Sequence, residues 1–475
     1  MSVSHTHMQI YFIGICGTAM GNGALLLREL GYDVSGSDEN VYPPMSDLLT
    51  ASGITIYTGY DSFHLETAKP DLIVIGNAIS RGNAEVEYVL NAKLRYTSLA
   101  ELLKDYVIQG KDSIVVSGTH GKTTTSALAA WTFETAGLEP NFIVGGVLEN
   151  FRAGYQARPK SRYVILEGDE YDTAFFDKGS KFLHYLPTSL IINNIEFDHA
   201  DIFSSLDDIK LSFRRLVNLV PQNGVIIANG DDMTVRDVIA KSLAPVETFG
   251  LSSDCIWHAA NISYKSNTSA FDLFHSGKFE TKLEVNLLGE FNIRNALGVA
   301  IAARHYGISY DLIQKAFISF TNVKRRLEFK GEFSGVKVYD DFAHHPTAIR
   351  ETLKAFRTKY PKERIIAIFE PRSNTTRRNI FQKELAECFA DADIVLISQI
   401  ARLHLLAESE RLDPEKVMAD IRAQGKEAFY LSDAEAISTK AAEITNAGDV
   451  VIVMSNGSFG GIHLLLEKKL KKHIA

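Results

Sequence analysis

Short apolar runs alternate with periodic amphipathic segments along most of the chain. This alternation predicts strands and helices in turn. The helices include one from residue 122 to about 136 and a strongly periodic one over residues 206–219. Strands separated by helices are typical of doubly wound α/β sheets. The predicted strands are residues 9–13, 33–36, 72–75, 113–117, 163–166, 190–194, 224–228, 365–369, 394–397 and 450–454, with one more that begins at residue 336 and opens into a polar loop and a helix by residue 346.

Other local patterns add detail to this framework. Residues 24–30 and 98–104 predict short helices, and residues 256–288 alternate between apolar and polar types, which predicts small antiparallel strands. Ser432, followed three residues later by Glu435, has the form of a capping box and predicts a helix start.

The length of 475 residues is too great for one hydrophobic core and predicts about three domains. The polar stretch 109–112 suits a linker, and the pair Arg325 and Arg326 ends the next segment. We therefore expect domains at residues 1–110, 111–325 and 326–475.

Composition narrows the class of protein. Hydrophobic residues at 45% and charged residues at 23% are ordinary globular values, and the net charge of -8 argues against a general nucleic-acid surface. Three scattered cysteines match no disulfide or metal pattern, which favours a reducing cytoplasm. Residues 1–7 lack an apolar signal region, and no apolar run has membrane length. We expect a cytoplasmic protein without a membrane partner, with His5 and His7 in a disordered tail.

A glycine loop between a predicted strand and helix contains the sequence GTHGKT over residues 118–123. Glycine lets backbone N–H groups approach phosphate oxygens, the helix N-terminus adds positive charge, and Lys122 can reach the outer phosphates. Thr123 can place its hydroxyl on Mg²⁺. The spacing is shorter than the usual pattern, but the context predicts a nucleotide-phosphate site formed by Gly118, Thr119, His120, Gly121, Lys122, Thr123 and Thr124.

The first domain begins with a strand, a glycine loop at residues 14–21 and a helix. The glycine spacing differs from GxGxxG and disfavours a nicotinamide cofactor, whereas another phosphate or pyrophosphate ligand fits. Asp38 has two possible roles. It stands where such folds contact a ribose, but it could instead be a carboxylate that caps a turn. The predicted ligand contacts here are Gly14, Gly17, Thr18, Ser37, Asp38, Asn77 and Ala78.

Two strand ends of the second domain carry further polar groups. Residues 167–172 hold four carboxylates, and His199 follows the next strand. Together with Thr123, these groups would meet in one crevice and suit Mg²⁺, with histidine on a second ion. The open alternatives are a solvated acidic loop and a structural histidine. Asn292 and Asn295, in the first turn of a later helix, are either caps or adenine contacts.

Two predicted strands of the third domain are followed by polar loops, at residues 370–377 and 455–461. Arg372 or Arg377 could bind a carboxylate-rich partner, although exposed arginines are often only solvated.

Seven sets of residues resemble the Mur ligases, ATP-dependent enzymes that form amide bonds in bacterial cell-wall assembly. The resemblance implies an α/β fold of three domains: a Rossmann-like N-terminal domain, a P-loop ATPase-like central domain and a Rossmann-like C-terminal domain. Residues 40–45, 369–374 and 454–463 resemble the members that act on a murein tripeptide. The seven sets are residues 14–21 with 35–38, 118–124, 167–170, 194–199, 289–292, 325–326 and 340–346.

The resemblance also implies individual roles. UDP-N-acetylmuramate would bind the first domain, ATP and two Mg²⁺ the central one, and the tripeptide L-Ala-γ-D-Glu-meso-diaminopimelate the third, in a monomer or homodimer. Thr123 and Glu167 would hold one Mg²⁺, and Glu167 with His199 the second. The remaining implied roles are Lys122 on the β- and γ-phosphates, Arg326 on the γ-phosphate, Asn292 on adenine, Asp341 on the ribose of ATP, His344 and His345 near the reacting groups, and Glu170, Arg372 and Arg377 on substrate.

The implied reaction is phosphorylation of the lactyl carboxylate by ATP, followed by attack of the alanyl amine on the acyl phosphate. Two positions depart from the family pattern. Phe291 stands where family members often have a histidine before the adenine-contacting asparagine. Arg214 stands about fifteen residues after His199, where some relatives carry a carbamylated lysine. The alternatives are an L-alanine ligase acting on UDP-N-acetylmuramate, a non-catalytic nucleotide-gated binding module and a nicotinamide-dependent oxidoreductase.

Overall fold

A computed structural model describes residues 8–401 and 403–472. The predicted tail histidines, His5 and His7, lie outside these residues. Three large sheets divide the chain into a first region (residues 9–108), a central region (112–319) and a third region (328–472). Within the described residues, no helix has both the length and the apolar character needed to cross a membrane.

The first region contains a parallel sheet of five strands in the order β3-β2-β1-β4-β5. A π-helical turn, Lys104–Ile108, ends the region. The strands are β1 (Gln9–Ile13), β2 (Asp33–Asp38), β3 (Thr55–Thr58), β4 (Leu72–Ile75) and β5 (Tyr96–Ser98); the helices are α1 (Thr18–Glu29), α2 (Met45–Ala51), α3 (Ser62–Ala68), α4 (Ala84–Asn91) and α5 (Leu99–Leu103).

The sequence prediction for α1 was wrong at its start, because the helix begins at Thr18 rather than Ala24. The first turns are made of small and polar residues, so the apolar periodicity becomes visible only further along. Gly17 is the N-cap, which brings the glycine loop directly onto the helix N-terminus.

The central region contains a ten-stranded sheet in the order β17-β16-β15-β14-β13-β12-β6-β9-β7-β8 and a separate hairpin, β10–β11. A short 3-10 helix spans Lys181–His184. The strands are β6 (Asp112–Ser117), β7 (Asn141–Leu148), β8 (Ala153–Gln156), β9 (Tyr163–Gly168), β10 (Asp172–Ala174), β11 (Asp177–Ser180), β12 (Ser189–Ile192), β13 (Val225–Asn229), β14 (Val246–Gly250), β15 (Trp257–Lys265), β16 (Thr268–His275) and β17 (Lys278–Val285); the helices are α6 (Lys122–Thr135), α7 (Leu206–Val217), α8 (Met233–Ile239), α9 (Glu290–His305) and α10 (Tyr310–Ser319).

The parallel core of this sheet positions the loops that matter below. Strand β6 pairs with β12 on one side and with β9 on the other, both in parallel. Their carboxyl ends therefore lie side by side at one edge of the sheet. The predicted antiparallel strands are confirmed as β15, β16 and β17, and β15 joins them to the parallel part by pairing with β14.

The third region is a six-stranded sheet in the order β18-β19-β23-β20-β21-β22, parallel except for the β18–β19 pair. Short 3-10 turns occur at Asn379–Phe381, Leu403–Leu405, Glu408–Glu410 and Phe459–Gly461. The strands are β18 (Glu328–Phe333), β19 (Val336–Asp341), β20 (Ile365–Phe369), β21 (Ile394–Ser398), β22 (Glu427–Leu431) and β23 (Val450–Met454); the helices are α11 (Pro346–Lys359), α12 (Gln382–Glu387), α13 (Pro414–Ala423), α14 (Ala434–Ile444) and α15 (Ile462–Lys472).

The predicted capping box at Ser432 was wrong by one residue. Asp433 is the N-cap of α14, and its side chain accepts a hydrogen bond from the Ala436 N–H at 2.8 Å. Ser432 instead donates to the Asp433 carboxylate. Aspartate caps a helix as well as serine does and also complements the helix dipole, which explains the shift.

The buried apolar core is shared unequally among the three regions. One cluster runs without a break from Phe12 and Leu103 in the first region to Phe182 and Phe213 in the central region. The two clusters of the third region contain only residues between 327 and 470. The first two regions are thus joined by a common apolar core, and the third has its own.

A buried carboxylate organises the first region. Glu85 on α4 has no exposed surface and accepts hydrogen bonds from the Tyr11 hydroxyl and from His64 Nδ1, both at 2.9 Å. It also accepts from the hydroxyl of Ser37 and from the Asp61 N–H at 3.4 Å. A buried carboxyl group is tolerated only when its oxygens are hydrogen-bonded in this way.

Replacing Glu85 by alanine should therefore lower the unfolding free energy by about 3 kcal/mol, because buried donors lose their acceptor. Denaturant unfolding would measure the loss. The matched control is Glu87→Ala on the same helix, whose carboxylate pairs with the exposed Arg81 and should change stability little. Equal effects of the two changes would contradict a special role for Glu85.

Candidate active site

The site lies where three adjacent strands of the central sheet end. Strand β6 leads into the glycine loop, β9 carries Glu167 near its end and leads into the acidic loop, and β12 leads into residues 193–199. Ser117 at the end of β6 is in register with Gly168 of β9 and with Ile192 of β12. This brings the predicted phosphate loop, acidic loop and histidine together, and sites in parallel α/β sheets typically lie at such carboxyl ends.

Neighbouring residues leave little room around the glycine loop. A Cβ atom on Gly118 would lie 3.0 Å from the backbone N and O of Asn194, and one on Gly121 would lie 2.6 Å from Asn295 Oδ1. Both glycines also have positive φ angles, 133° and 81°. Asn194 Oδ1 accepts from the His120 N–H at 2.7 Å and so braces the loop. The loop needs glycine for both space and conformation.

Lys122, Glu170 and His199 form a continuous chain of contacts. Lys122 Nζ lies 2.7 Å from Glu170 Oε2 and donates to the Gly118 carbonyl at 2.8 Å. His199 Nε2 lies 3.1 Å from Glu170 Oε1. Only 2% of the Glu170 side chain is exposed. One buried carboxylate thus bridges the lysine of the phosphate loop and the histidine that follows β12.

A second carboxylate, Glu167, lies on the other side of the loop. Its Oε1 accepts from the Thr123 hydroxyl at 2.7 Å, and its Oε2 accepts from the Gly145 N–H at 2.6 Å. Arg326 Nη2 approaches the same threonine oxygen at 3.3 Å, and its guanidinium lies 4.9 Å from the ring centre of Phe342. A hydroxyl, a carboxylate and a guanidinium therefore converge at the start of α6.

These charges shift one another's pKa values. Burial opposes the charge on Lys122, but Glu170 and Asp169 outweigh it and raise its pKa. Burial likewise opposes the charge on His199, yet its hydrogen bond to Glu170 raises its pKa. Burial also opposes ionisation of Asp169, but Lys181 and Lys122 lower its pKa to about 2. The site at neutral pH is a compact set of opposite charges, which suits the binding of other charged groups.

Two sets of oxygen-rich donors can hold cations here. Thr123 and Glu167 provide a hydroxyl and a carboxylate, the hard oxygen donors that Mg²⁺ prefers. Asp169, Glu170 and His199 provide donor atoms that all lie within 4.8 Å of one another. Glu170, which the sequence assigned to substrate, is the direct partner of His199, whereas Glu167 contacts Thr123.

The third region closes against this site through polar contacts. Thr375 Oγ1 donates to Asp198 Oδ1 at 2.7 Å, and His345 Nε2 lies 3.2 Å from the carbonyl oxygen of Phe197. His344 lies beside them; its Nδ1 donates to the Phe342 carbonyl at 3.0 Å, and burial lowers its pKa. The third region thus meets the loop that carries His199.

The residues predicted to contact the adenosine of ATP are occupied by local hydrogen bonds. Asn292 Nδ2 donates to the Leu288 carbonyl at 2.8 Å, and its Oδ1 accepts from Asn295 at 3.0 Å. The N-cap of α9 is Gly289, so neither asparagine is the cap. Asp341 accepts from the N–H groups of Leu327 and Ala343 at 2.8 Å, and burial raises its pKa. Their contacts with ATP stay predictions.

The glycine loop of the first region is fixed by β2. The N–H groups of Gly14 and Ile15 donate to the Ser37 carbonyl at 2.8 and 3.0 Å. Asp38 accepts from the N–H groups of Cys16 and Asn40, both at 2.9 Å. Asp38 thus caps its own turn, and its contact with a ribose stays a prediction. Gly17, Thr18 and Ala78 are exposed and Asn77 is partly exposed, so these groups are available to a ligand.

The two predicted arginines lie in the loop after β20. Arg372 is exposed and contacts Gly457, where a Cβ atom would lie 2.4 Å from Arg372 Nη1. Arg377 is partly buried and donates to Asn374. The loops at residues 370–377 and 455–461 are therefore neighbours, as expected for the ends of the paired strands β20 and β23.

Sequence reasoning did not identify two features of this site. Asn193 and Asn194, which follow β12, brace the glycine loop; Asn194 opens the motif at residues 194–199, but nothing in the sequence indicated this contact. Glu196 lies 3.1 Å from His120 Nε2 and 3.5 Å from His345 Nδ1. These three residues lie far apart in the sequence, so their contact depends on the tertiary fold.

Family models match three consecutive parts of the chain. The model for the Mur ligase family, catalytic domain, matches residues 9–110, the Mur ligase middle domain matches residues 116–303, and the Mur ligase, glutamate ligase domain matches residues 325–457. The matches follow the three sheets in order.

Individual relatives match nearly the whole chain. The UDP-N-acetylmuramate–L-alanyl-γ-D-glutamyl-meso-2,6-diaminoheptandioate ligase of Haemophilus influenzae is 42% identical over 97% of this chain and 99% of its own. The crystal structure of a murein peptide ligase from Psychrobacter arcticus 273-4 is 37% identical, with a TM-score of 0.72 over 98% of this chain and 99% of that one. A UDP-N-acetylmuramate–L-alanine ligase of Acetivibrio thermocellus is 35% identical over 94% of this chain and 93% of its own. The chain therefore belongs to the Mur ligase family, whose members are ATP-dependent enzymes that form amide bonds.

Proposed function

We propose that this protein joins UDP-N-acetylmuramate to the tripeptide L-Ala-γ-D-Glu-meso-diaminopimelate at the expense of ATP. The observation that carries the proposal is the convergence of Lys122, Thr123, Glu167, Glu170 and His199 at three adjacent strand ends. The identity of 42% over nearly the full chain to the H. influenzae ligase supports the tripeptide as acceptor. Consumption of ATP and a UDP-sugar, together with three free cysteines, supports the expected cytoplasmic location.

The second candidate is a UDP-N-acetylmuramate–L-alanine ligase. A relative of that name is 35% identical over 94% of this chain, so the two candidate functions imply the same fold. Both candidate reactions activate the same carboxylate of UDP-N-acetylmuramate, and they differ only in the amine that attacks it. The distinction therefore lies in the third region, where Arg372 and Arg377 are proposed to bind the additional carboxylates of the tripeptide.

In the proposed reaction, the lactyl carboxylate attacks the γ-phosphorus of ATP, ADP leaves, and an acyl phosphate forms. The amine of the peptide then attacks the acyl carbon, and phosphate leaves as the amide forms. Lys122 would turn from the Gly118 carbonyl to the β- and γ-phosphate oxygens. Arg326, already beside Thr123, would neutralise charge on the transferred phosphoryl group, which is the main form of catalysis in such transfers.

Magnesium fits the oxygen donors of this site and, when bound, would screen the phosphate charges. Thr123 and Glu167 are proposed to hold one ion. His199 is proposed to serve the second, and its contact with Glu170 makes that carboxylate a candidate for the same role. The residues used in the reaction all come from one chain, so the proposal requires no second subunit and is compatible with the expected monomer or homodimer.

Replacing Lys122 by alanine should lower the rate of ADP release about a hundredfold or more, because the phosphates lose their positioned cation. The measurement is coupled ADP release with both substrates present, on protein whose folding is checked by thermal unfolding. Lys210→Ala is the matched control, since Lys210 pairs with Asp237 on the surface. Near-normal ADP release by a folded Lys122 variant would refute the assignment.

The choice of acceptor is decided by offering free L-alanine or the tripeptide with UDP-N-acetylmuramate and ATP. We expect phosphate release and a ligated product with the tripeptide and a much lower rate with alanine. The reverse preference would favour the alanine ligase. ATP and UDP-sugar binding with no product from either acceptor would favour a non-catalytic binding module.

Replacing His199 by glutamine should raise the Mg²⁺ concentration needed for half-maximal rate, by about tenfold or more. The titration is made at saturating ATP and acceptor. His184→Gln is the control, because its imidazole pairs with Asp177 on β11. An unchanged Mg²⁺ titration for the His199 variant would mean that this histidine is structural.

A further inference from the structure

A second cluster of metal-binding side chains lies between the glycine loop and the third region. His120 Nε2 is 3.1 Å from Glu196 Oε2, and His345 Nδ1 is 3.5 Å from the same oxygen. The three residues offer donor atoms within 4.8 Å of one another. This cluster shares no residue with the Asp169, Glu170 and His199 set.

Hydrogen bonds fix the protonation of His345. Its Nε2 lies 3.2 Å from the Phe197 carbonyl oxygen, which can only accept, so this nitrogen carries a proton. Its Nδ1 accepts a hydrogen bond from the Thr347 N–H at 3.3 Å as the N-cap of α11, so this nitrogen presents a lone pair. Burial, with His120 as the next cause, lowers the pKa of His345 to about 4, which agrees with a neutral ring.

The neighbouring carboxylate is ionised. Burial opposes its charge, but the hydrogen bond from His120 lowers the pKa of Glu196. His345 Nδ1, which carries no proton, lies 3.5 Å from the charged Glu196 oxygen, so no hydrogen bond joins these two atoms. A cation bound by both atoms would add an attraction that the metal-free cluster lacks.

The donor set indicates which cation fits. Two imidazoles and one carboxylate form a common set for Zn²⁺ and similar borderline divalent ions, whereas Mg²⁺ prefers oxygen donors. A histidine that binds a metal through one ring nitrogen usually donates a hydrogen bond from the other. His345 Nε2 donates such a bond to the Phe197 carbonyl, which leaves Nδ1 for the metal. Ligation would replace the long 3.3 Å bond from Thr347 to Nδ1.

Access to the cluster is provided by a cavity of about 160 Å³. Glu196 and His345 line it together with Phe381, whose ring lies 4.7 Å from that of His345. The cavity offers space for the fourth ligand, a water molecule, that a three-residue zinc site keeps open.

We propose that His120, Glu196 and His345 bind one zinc-class divalent cation that ties the phosphate loop to the first helix of the third region. His120 belongs to the loop before α6, Glu196 follows β12, and His345 caps α11. The site is complete only when the central and third regions are in contact. The ion would therefore stabilise their closed arrangement.

The test is a titration of metal-free, full-length protein with Zn²⁺ against a chromogenic zinc chelator, in excess Mg²⁺. We expect one equivalent to bind, and His345→Gln and Glu196→Gln each to weaken its affinity by about tenfold or more. His199→Gln and His184→Gln are controls that should keep this equivalent. A zinc affinity unchanged in both cluster variants, or lost only with His199→Gln, would overturn the proposal.

Thermal unfolding with and without Zn²⁺ gives an independent readout. The wild-type protein should unfold at a higher temperature with Zn²⁺, and the cluster variants should not respond. Should His345→Gln fail to fold because the α11 cap is lost, His120→Gln replaces it, since that side chain caps no helix. Equal zinc stabilisation of wild type and His120→Gln would contradict the site. These readouts do not depend on ligase activity, so the proposed function and the metal site can fail separately.

Discussion

The site depends on the buried carboxylate of Glu170. A carboxylate with 2% exposed surface must be paired, and here its two oxygens meet Lys122 at 2.7 Å and His199 at 3.1 Å. Without it, the Lys122 ammonium and the His199 imidazole would lose their shared hydrogen-bond partner. The same two contacts link the loop after β6 to the loops after β9 and β12. The Glu170 carboxylate therefore offsets the positive charge of Lys122 and holds the three loops together.

Strand order explains why these loops can meet at all. Strand β6 lies between β12 and β9, so residues separated by tens of positions in the sequence emerge side by side. The helices that follow place an N-terminus at the glycine loop, whose glycines fit against Asn194 and Asn295 where no other residue would. A parallel sheet thus turns three separate loops into one rigid site, and function follows from topology as much as from any single residue.

Much of this site could be predicted from sequence, and what was missed has physical reasons. Lys122, Thr123 and His199 were found because strand ends and glycine loops leave local signals. The bridging position of Glu170 was not predicted, because four carboxylates lie within six residues and the sequence does not show which of them contacts Lys122 and His199. The start of α1 was missed because its first turns have no apolar periodicity. The antiparallel strands were predicted, but their continuity with the large sheet rests on two residue pairs between β14 and β15, which no local pattern encodes.

The contrast between the two region boundaries bears on how the enzyme works. The first and central regions share a continuous apolar core, and separating them would expose that surface to water. The third region meets the central one through hydrogen bonds such as Thr375 to Asp198 and His345 to Phe197. Water can replace such bonds at small net cost. We therefore expect the first two regions to stay together and the third to be the region that can move relative to the phosphate loop.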